Sequence, residues 1–140
     1  MKIFISWSGA KSLHLAKIVH SWLPNVIQNV EPFLSEEDIK KGARWSSELA
    51  GKLEECNFGL VCATQESIRS PWVMYEAGAV SKILDESALV SILFDVEPGD
   101  LLHHPLGGFQ SARIEKAEIL KVLHAINASF RSWSPKGRPA

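Results

Sequence analysis

The chain has 140 residues, 46% of them hydrophobic and 22% charged. That length and balance fit one globular domain with its own core, and exclude disorder, collagen and a simple coiled coil for the whole chain. Lys+Arg number 15 against 16 Asp+Glu, a net charge of -1, which argues against holding nucleic acid through bulk charge. The two cysteines, Cys56 and Cys62, match no metal or redox spacing and read as packing residues.

The first apolar run, Ile3-Phe4-Ile5, is too short for a secretory signal and reads as a strand. No stretch reaches the ~18 apolar residues of a membrane span. A cytoplasmic protein without membrane contact is therefore expected. After Gly9, the spacing of Leu13, Ala16, Val19 and Leu23 predicts a helix that stops at Pro24. Val30 to Leu34 reads as a second strand, placed at an edge by Pro32. A polar loop follows, and Ser46 starts a helix through Glu54. Phe58 to Ala63 is a third strand, apolar on both faces. Ser67 to Leu84 reads as helical, with Pro71 in a first turn, where proline is tolerated. Ala88 to Phe94 is a fourth strand, and Pro98-Gly99-Asp100 turns away from it. A short fifth strand is expected near Phe109–Ala112, then a last helix from Ile114 to Ile126. Residues 1–130 make one domain, and residues 131–140, rich in Pro, Gly and basic side chains, read as a loose tail or linker.

Strands alternating with helices imply an α/β fold: a four- to five-stranded parallel sheet covered by helices on both faces. In such sheets ligands bind beyond the carboxyl ends of the strands. The segments to inspect are Ser6-Trp7-Ser8-Gly9, Ser35 to Trp45, Ala63 to Glu66, and Asp95 to Asp100.

In the first of these, two hydroxyls and a glycine precede a helix. Such a loop could hold a phosphate through its amides, or Ser8 could simply cap the helix. The second is a charged loop ending in Arg44 and Trp45, an aromatic surface able to stack on a ring or a partner, or to pack helix against sheet. In Pro71-Trp72-Val73-Met74-Tyr75-Glu76, the spacing puts Trp72 and Glu76 on one helical face. A partly desolvated carboxylate beside an aromatic plate can bind a ribose hydroxyl or stabilise a cationic transition state. The same pair also occurs as plain packing. His103-His104 lacks a third ligand at a useful spacing, so no metal is expected. No Gly-x-Ser-x-Gly elbow or stacked-aromatic basic stripe is present.

Taken in order, these pieces resemble Toll/interleukin-1 receptor (TIR) domains of the bacterial, NAD-cleaving type. Lys2 to Trp7 is similar to their first strand and loop, and Asp38 to Trp45 to the end of their BB loop. Phe58 to Thr64 is similar to the third strand, and Pro71 to Glu76 carries the Trp-x-x-x-Glu pattern. The resemblance spans roughly residues 2–127 and is thin after Asp95.

It implies a flavodoxin-like three-layer sandwich and cleavage of the nicotinamide–ribose bond of NAD⁺. The products would be nicotinamide and ADP-ribose or a cyclic ADP-ribose isomer. Glu76 falls on the catalytic glutamate, and Trp72 on the aromatic that shapes the nicotinamide side. Ser6, Trp7 and Ser8 fall on the loop lining the cleft, and Arg44 and Trp45 on the BB loop (residues 35–45), through which members self-associate. Members often carry Tyr or His where this chain has Trp7. NAD⁺ enters as substrate, with no cofactor or metal, and a separate sensor or effector protein is an expected partner. The implied setting is antiviral defence or cell-death signalling, with activity switched on by assembly. The alternative is a TIR–TIR interaction scaffold without turnover. A third reading is a flavodoxin-like nucleoside glycosidase or deoxyribosyltransferase, which would also use a carboxylate at a ribose. No second carboxylate stands out beside Glu76 in the sequence.

Overall fold

The computed structural model describes residues 2–34, 55–56, 58–69 and 89–132. They form a five-stranded, all-parallel sheet: β1 (Lys2–Ser6), β2 (Glu31–Leu34), β3 (Phe58–Ala63), β4 (Leu89–Leu93) and β5 (Gln110–Arg113). The strand order is β2-β1-β3-β4-β5. The helices are α1 (Ala10–Val26), the single turn α2 (Gln65–Ile68) and α3 (Lys116–Ser132). Two 3-10 turns, Pro98–Leu101 and Pro105–Gly108, lie between β4 and β5. This is the expected α/β, flavodoxin-like arrangement.

Side-chain alternation along the strands divides the core in two. Ile3, Ile5 and Trp7 point to one face, with Leu60, Cys62, Val90 and Ile92. There they meet Ala16, Val19 and Leu23 of α1 and Val122 and Ile126 of α3. Phe4, Val61, Ala63, Leu89 and Leu93 point to the other face. They are covered by Ile68 of α2 and by Val96, Leu101 and Leu106 from the turn region. Every residue of β3 and β4 is buried, as strands covered on both faces require. Phe4 and Phe33 add an edge-to-face ring contact at 5.4 Å between β1 and β2.

All three helices differ in their bounds from the sequence expectation, and α2 starts at Gln65, two residues before the expected Ser67, because Thr64 caps it. Helix α1 continues past Pro24 to Val26. Pro24 is exposed, so its ring projects away from the core, and the Ile27 amide still donates to the Leu23 carbonyl at 3.0 Å. The last helix starts later and runs further, from Lys116 to Ser132. The predicted helix within 46–54, and all of the predicted 67–84 helix beyond Arg69, lie outside the described residues.

A buried hydroxyl network fixes the carboxyl end of β3. Ser12 of α1, fully buried, donates from Oγ to the Cys62 carbonyl at 2.6 Å and accepts from the Ser8 amide at 3.0 Å. Thr64 and Ser67 form a reciprocal capping box. The Ser67 amide donates to Thr64 Oγ1 at 3.1 Å and the Thr64 amide to Ser67 Oγ at 2.8 Å. Ser67 Oγ also approaches the carbonyls of Thr64 and Cys62, at 3.1 and 3.3 Å. The first turn of α1, the end of β3 and the start of α2 are thus tied at one point.

In contrast, Ser91 sits in the middle of β4, wholly buried, and among the described residues its Oγ has no hydrogen-bond partner. Its lateral neighbours are Val61 and Ser111. The Cys62 thiol is pushed by burial from 9.0 up to about 12, which makes it a packing group and a poor nucleophile.

Three outcomes are expected. Ser12→Ala leaves the Ser8 amide without its acceptor and removes a donor from Cys62, so urea unfolding should show a loss of about 1–3 kcal/mol. Ser91→Ala removes an unsatisfied hydroxyl and should be neutral or raise stability by up to about 1 kcal/mol in the same measurement. Between pH 9 and 12 the unfolded Cys62 thiol gives up its proton before the folded one does. Stability contributed by this group therefore falls as pH rises through that window. Cys62→Ala should flatten that part of the pH dependence, and iodoacetamide should leave Cys62 unlabelled in the folded chain at pH 8, as read by mass spectrometry.

Candidate functional site

Strand order reverses between β1 and β3. The chain leaves β1 through α1 for β2 on one side, whereas β3 leads to β4 on the other. At such a reversal the following loops diverge and leave a crevice above the sheet. The register pairs Ser6 with Val61, so Trp7–Gly9 and Thr64–Glu66 form its two walls.

On the first wall, Ser6 and Trp7 are buried and Ser8 is half-exposed. The Trp7 side chain belongs to the core cluster beneath α1. The Ser8 amide already donates to Ser12 Oγ. Gly9, not Ser8, is the N-cap of α1, and no side chain caps the helix. The Leu13 amide donates to the Gly9 carbonyl at 2.9 Å. Gly9 has φ +90°, a conformation that favours glycine. A β-carbon at this position would also collide with the Glu66 carboxylate. The backbone conformation therefore demands glycine here, whereas the Glu66 carboxylate, the end of an exposed side chain, could swing aside.

On the second wall stand Gln65 and Glu66, in the first turn of α2. The Gln65 amide donates to Asp95 Oδ1 at 2.7 Å. Gln65 Nε2 reaches the Asp95 carbonyl at 3.2 Å and Asp100 Oδ2 at 3.0 Å. Lys11 Nζ lies 3.7 Å from Asp95 Oδ2, and Arg113 lies 3.0 Å from Glu97 Oε2. These bonds are exposed and individually modest, but they join the loops after β1, β3, β4 and β5. Three carboxylates of this edge, Asp95, Glu97 and Asp100, are thus engaged. Glu66 is exposed and, among the described residues, has neither a hydrogen bond nor an ion pair.

His104 braces the same region from the turn side. Its Nδ1 accepts from the Leu106 amide at 3.0 Å. That bond places the proton on Nε2, which donates to the Ile68 carbonyl at 2.6 Å. The ring thereby holds the end of α2, just before the segment carrying Trp72 and Glu76. Gly107 beside it must be small, because a β-carbon there would strike the Leu101 carbonyl.

Of the residues singled out in the sequence, Ser8 stands half-exposed beside the strand-order reversal, whereas Ser6 is buried at the end of β1 and Trp7 packs into the core beneath α1. Arg44, Trp45, Trp72, Glu76 and the whole 35–45 loop lie outside the described residues. Ser12, Glu66 and His104 emerge only from the fold. Glu66 closes one of the post-strand segments marked for inspection, but nothing local in sequence signals its contact with Gly9. A hollow of about 500 Å³ is lined by Lys2, Val30, Glu31, Pro32, Phe33 and Glu55. It sits at the amino ends of β1 and β2, the opposite end of the sheet from the crevice. Among the described residues no group of three or more His, Cys, Asp or Glu could hold a metal, and no helix is long and apolar enough to cross a membrane.

Comparison with known proteins bears on this arrangement at two levels. A fold match of TM-score 0.52 at 16% identity covers 95% of this chain and 85% of the other, the TIR domains in the structure titled "activated Roq1 resistosome directly recognizing the pathogen effector XopQ". A comparison with curated proteins returned no match. A family model described as "TIR domain" matches residues 3–123, a span that holds the strands, the crevice and the Trp72-x-x-x-Glu76 segment, and the chain belongs to the TIR domain family.

Proposed function

We propose that the chain is an NAD⁺ nucleosidase or ADP-ribosyl cyclase that cleaves the nicotinamide–ribose bond and is activated by self-assembly. The observation that carries this reading is the family match across residues 3–123, with the Trp-x-x-x-Glu pattern in the segment that follows the crevice wall. The half-exposed Ser8 loop beside the strand-order reversal supports it.

Cleavage breaks the bond between ribose carbon 1′ and the pyridinium nitrogen, and the bonding electrons leave with neutral nicotinamide. The ribose passes through an oxocarbenium-like state, as in glycoside hydrolysis. Because nicotinamide leaves without a proton, no general acid is required on that side. Glu76 acts as the carboxylate that holds the ribose hydroxyls and stabilises the growing positive charge. Trp72 shields that side of the sugar from water, and Arg44 and Trp45 of the BB loop meet a neighbouring copy. Water attacking carbon 1′ gives ADP-ribose and releases one proton. An adenine nitrogen or a ribose hydroxyl of the same molecule gives a cyclic isomer instead. Antiviral defence or cell-death signalling in the cytoplasm, with a separate sensor or effector, is the setting this activity suits.

A second reading is a TIR–TIR scaffold without turnover. The fold neighbour's title names an assembly, and α1 exposes Ile18, Trp22 and Val26 at intervals of one helical turn.

Concentrated protein incubated with NAD⁺, with and without a crowding agent, should release nicotinamide, and mass spectrometry of the second product should separate hydrolysis from cyclisation. Glu76→Ala should lower the rate at least ~100-fold, by the scale of other electrostatic transition-state groups, with an unchanged circular dichroism spectrum. Equal turnover by a folded Glu76→Ala chain would sink the catalytic assignment. Filaments without turnover would move the function to the scaffold.

A further inference from the structure

Two apolar features on opposite sides of the sheet take no part in the crevice. The first is a hollow of about 330 Å³ between α1 and the end of β4. Among the described residues it is lined by Ala10, Lys11, His14, Leu15, Ile18 and Phe94. Ile18 and Phe94 are exposed although large and apolar. Strand alternation accounts for Phe94: Leu93 points to the face covered by α2 and the turns, so the next residue turns to the α1 side. The polar side chains of the hollow are Lys11 and His14, and α1 carries Lys11 and Lys17 but no Asp or Glu. Lys17 is exposed and has no ion pair among the described residues.

The second feature is Leu102, at 76% the most exposed large apolar side chain among the described residues. A lone exposed leucine is ordinary, but this one stands on a fixed base. Leu101 before it is buried in the core on the α2 side of the sheet. The Leu102 amide donates to the Gly99 carbonyl at 3.3 Å, and the His104 amide to the Leu101 carbonyl at 3.1 Å. Asp100 Oδ2 accepts from the Glu97 amide at 2.9 Å and closes the turn. The His104 ring is bonded at both nitrogens. A knob held out on so braced a turn loses little freedom when it is covered. The turn is also acidic: between residues 96 and 102 the charged residues are Glu97 and Asp100.

We infer that Leu102 of one copy of this chain inserts into the hollow between α1 and Phe94 of a second copy, with Glu97 and Asp100 facing Lys11 and Lys17. The inference deepens the self-assembly reading above and rests on it.

Charge selects a second copy as the occupant. The knob is apolar beside carboxylates, and the hollow is apolar beside lysines. Each patch therefore attracts the other and repels its own kind, which disfavours a symmetrical contact. Lys11 already faces Asp95 at 3.7 Å and Glu97 faces Arg113 at 3.0 Å, all exposed or partly so. The charges thus orient the contact, and burial of Leu102, Ile18 and Phe94 supplies its affinity.

A contact between two different patches is heterologous. It closes as a ring or continues as a filament, and does not end at two copies. The hollow lies on the α1 side of the sheet and the Leu102 turn on the other, so successive copies would join front to back.

The test is sedimentation velocity of the full chain over a concentration series at low and high salt, with Ile18→Asp and Leu102→Asp as variants. Both positions are exposed, and melting curves recorded beside wild type check that the variants fold. Should either aspartate lower the melting temperature, Phe94→Ser and Leu102→Ser repeat the pairing. Wild type should grow past two copies as concentration rises, and salt should weaken its association. Each variant alone should associate at least ~tenfold more weakly. An equal mixture of the two should form a one-to-one pair and stop there, because one intact knob and one intact hollow remain between them.

Assembly of Leu102→Asp at the wild-type level would overturn the inference and leave the self-assembly reading standing. So would a wild type that stops at two copies, or a mixture that stays monomeric although Ile18→Asp alone breaks assembly, since the contact would then be α1 against α1. A wild type that stays monomeric at every concentration, with NAD⁺ and a crowding agent present, would remove the self-assembly reading and the inference with it.

Discussion

The carbonyl of Cys62 holds the ligand-facing end of the domain together. It lies one residue before the end of a strand whose residues are all buried, so water is not available to satisfy it, and an unpaired acceptor there would be costly. Ser12 supplies the main donor from α1, at 2.6 Å, and the same hydroxyl takes the Ser8 amide. One oxygen therefore sets the distance between the loop after β1 and the end of β3. The capping box of Thr64 and Ser67 then fixes how the chain departs from that point. The proximity of Gly9 to Glu66 and the direction of α2 follow from it.

Charge around the crevice is arranged in two kinds. Asp95, Glu97 and Asp100 spend their acceptor capacity on neighbouring loops. They act as ties between strand ends, each weak because exposed, and collectively a girdle. Glu66 is of the other kind: exposed, it makes no hydrogen bond or ion pair among the described residues.

Much of the sheet was legible in the sequence because buried parallel strands leave a plain signature. Phe58 to Ala63 reads as an uninterrupted apolar run and forms β3 with the expected bounds. Pro32 marks an edge, and among the described residues β2 pairs only with β1. Local signals were weaker guides where tertiary packing decides. Pro24 argued for a helix end, yet an exposed proline near the last turn forfeits only one backbone bond, and packing of Leu23 below carries α1 to Val26. Ser8 looked like a cap, but the hydroxyl that matters is that of Ser12, whose acceptor is 50 residues away in sequence. The Gly9–Glu66 contact was illegible for the same reason: an exposed glutamate in a loop has no periodicity to betray it. Glu76, Trp72, Arg44 and Trp45 were legible only through the family's motifs, and they lie beyond the described residues.

The two outer strands bear on how copies of this domain can join. A parallel sheet ends in unpaired backbone groups on each side, and unprotected strands of that kind recruit one another. Here β2 carries Pro32, which has no N–H to offer, and an exposed Glu31. At the far side, β5 is only four residues long and displays exposed Gln110 and Arg113. Both borders are thus poorly suited to extending the sheet from one copy into the next. Among the described residues, the surfaces free for contact between copies are therefore those of helices and loops and not the sheet borders.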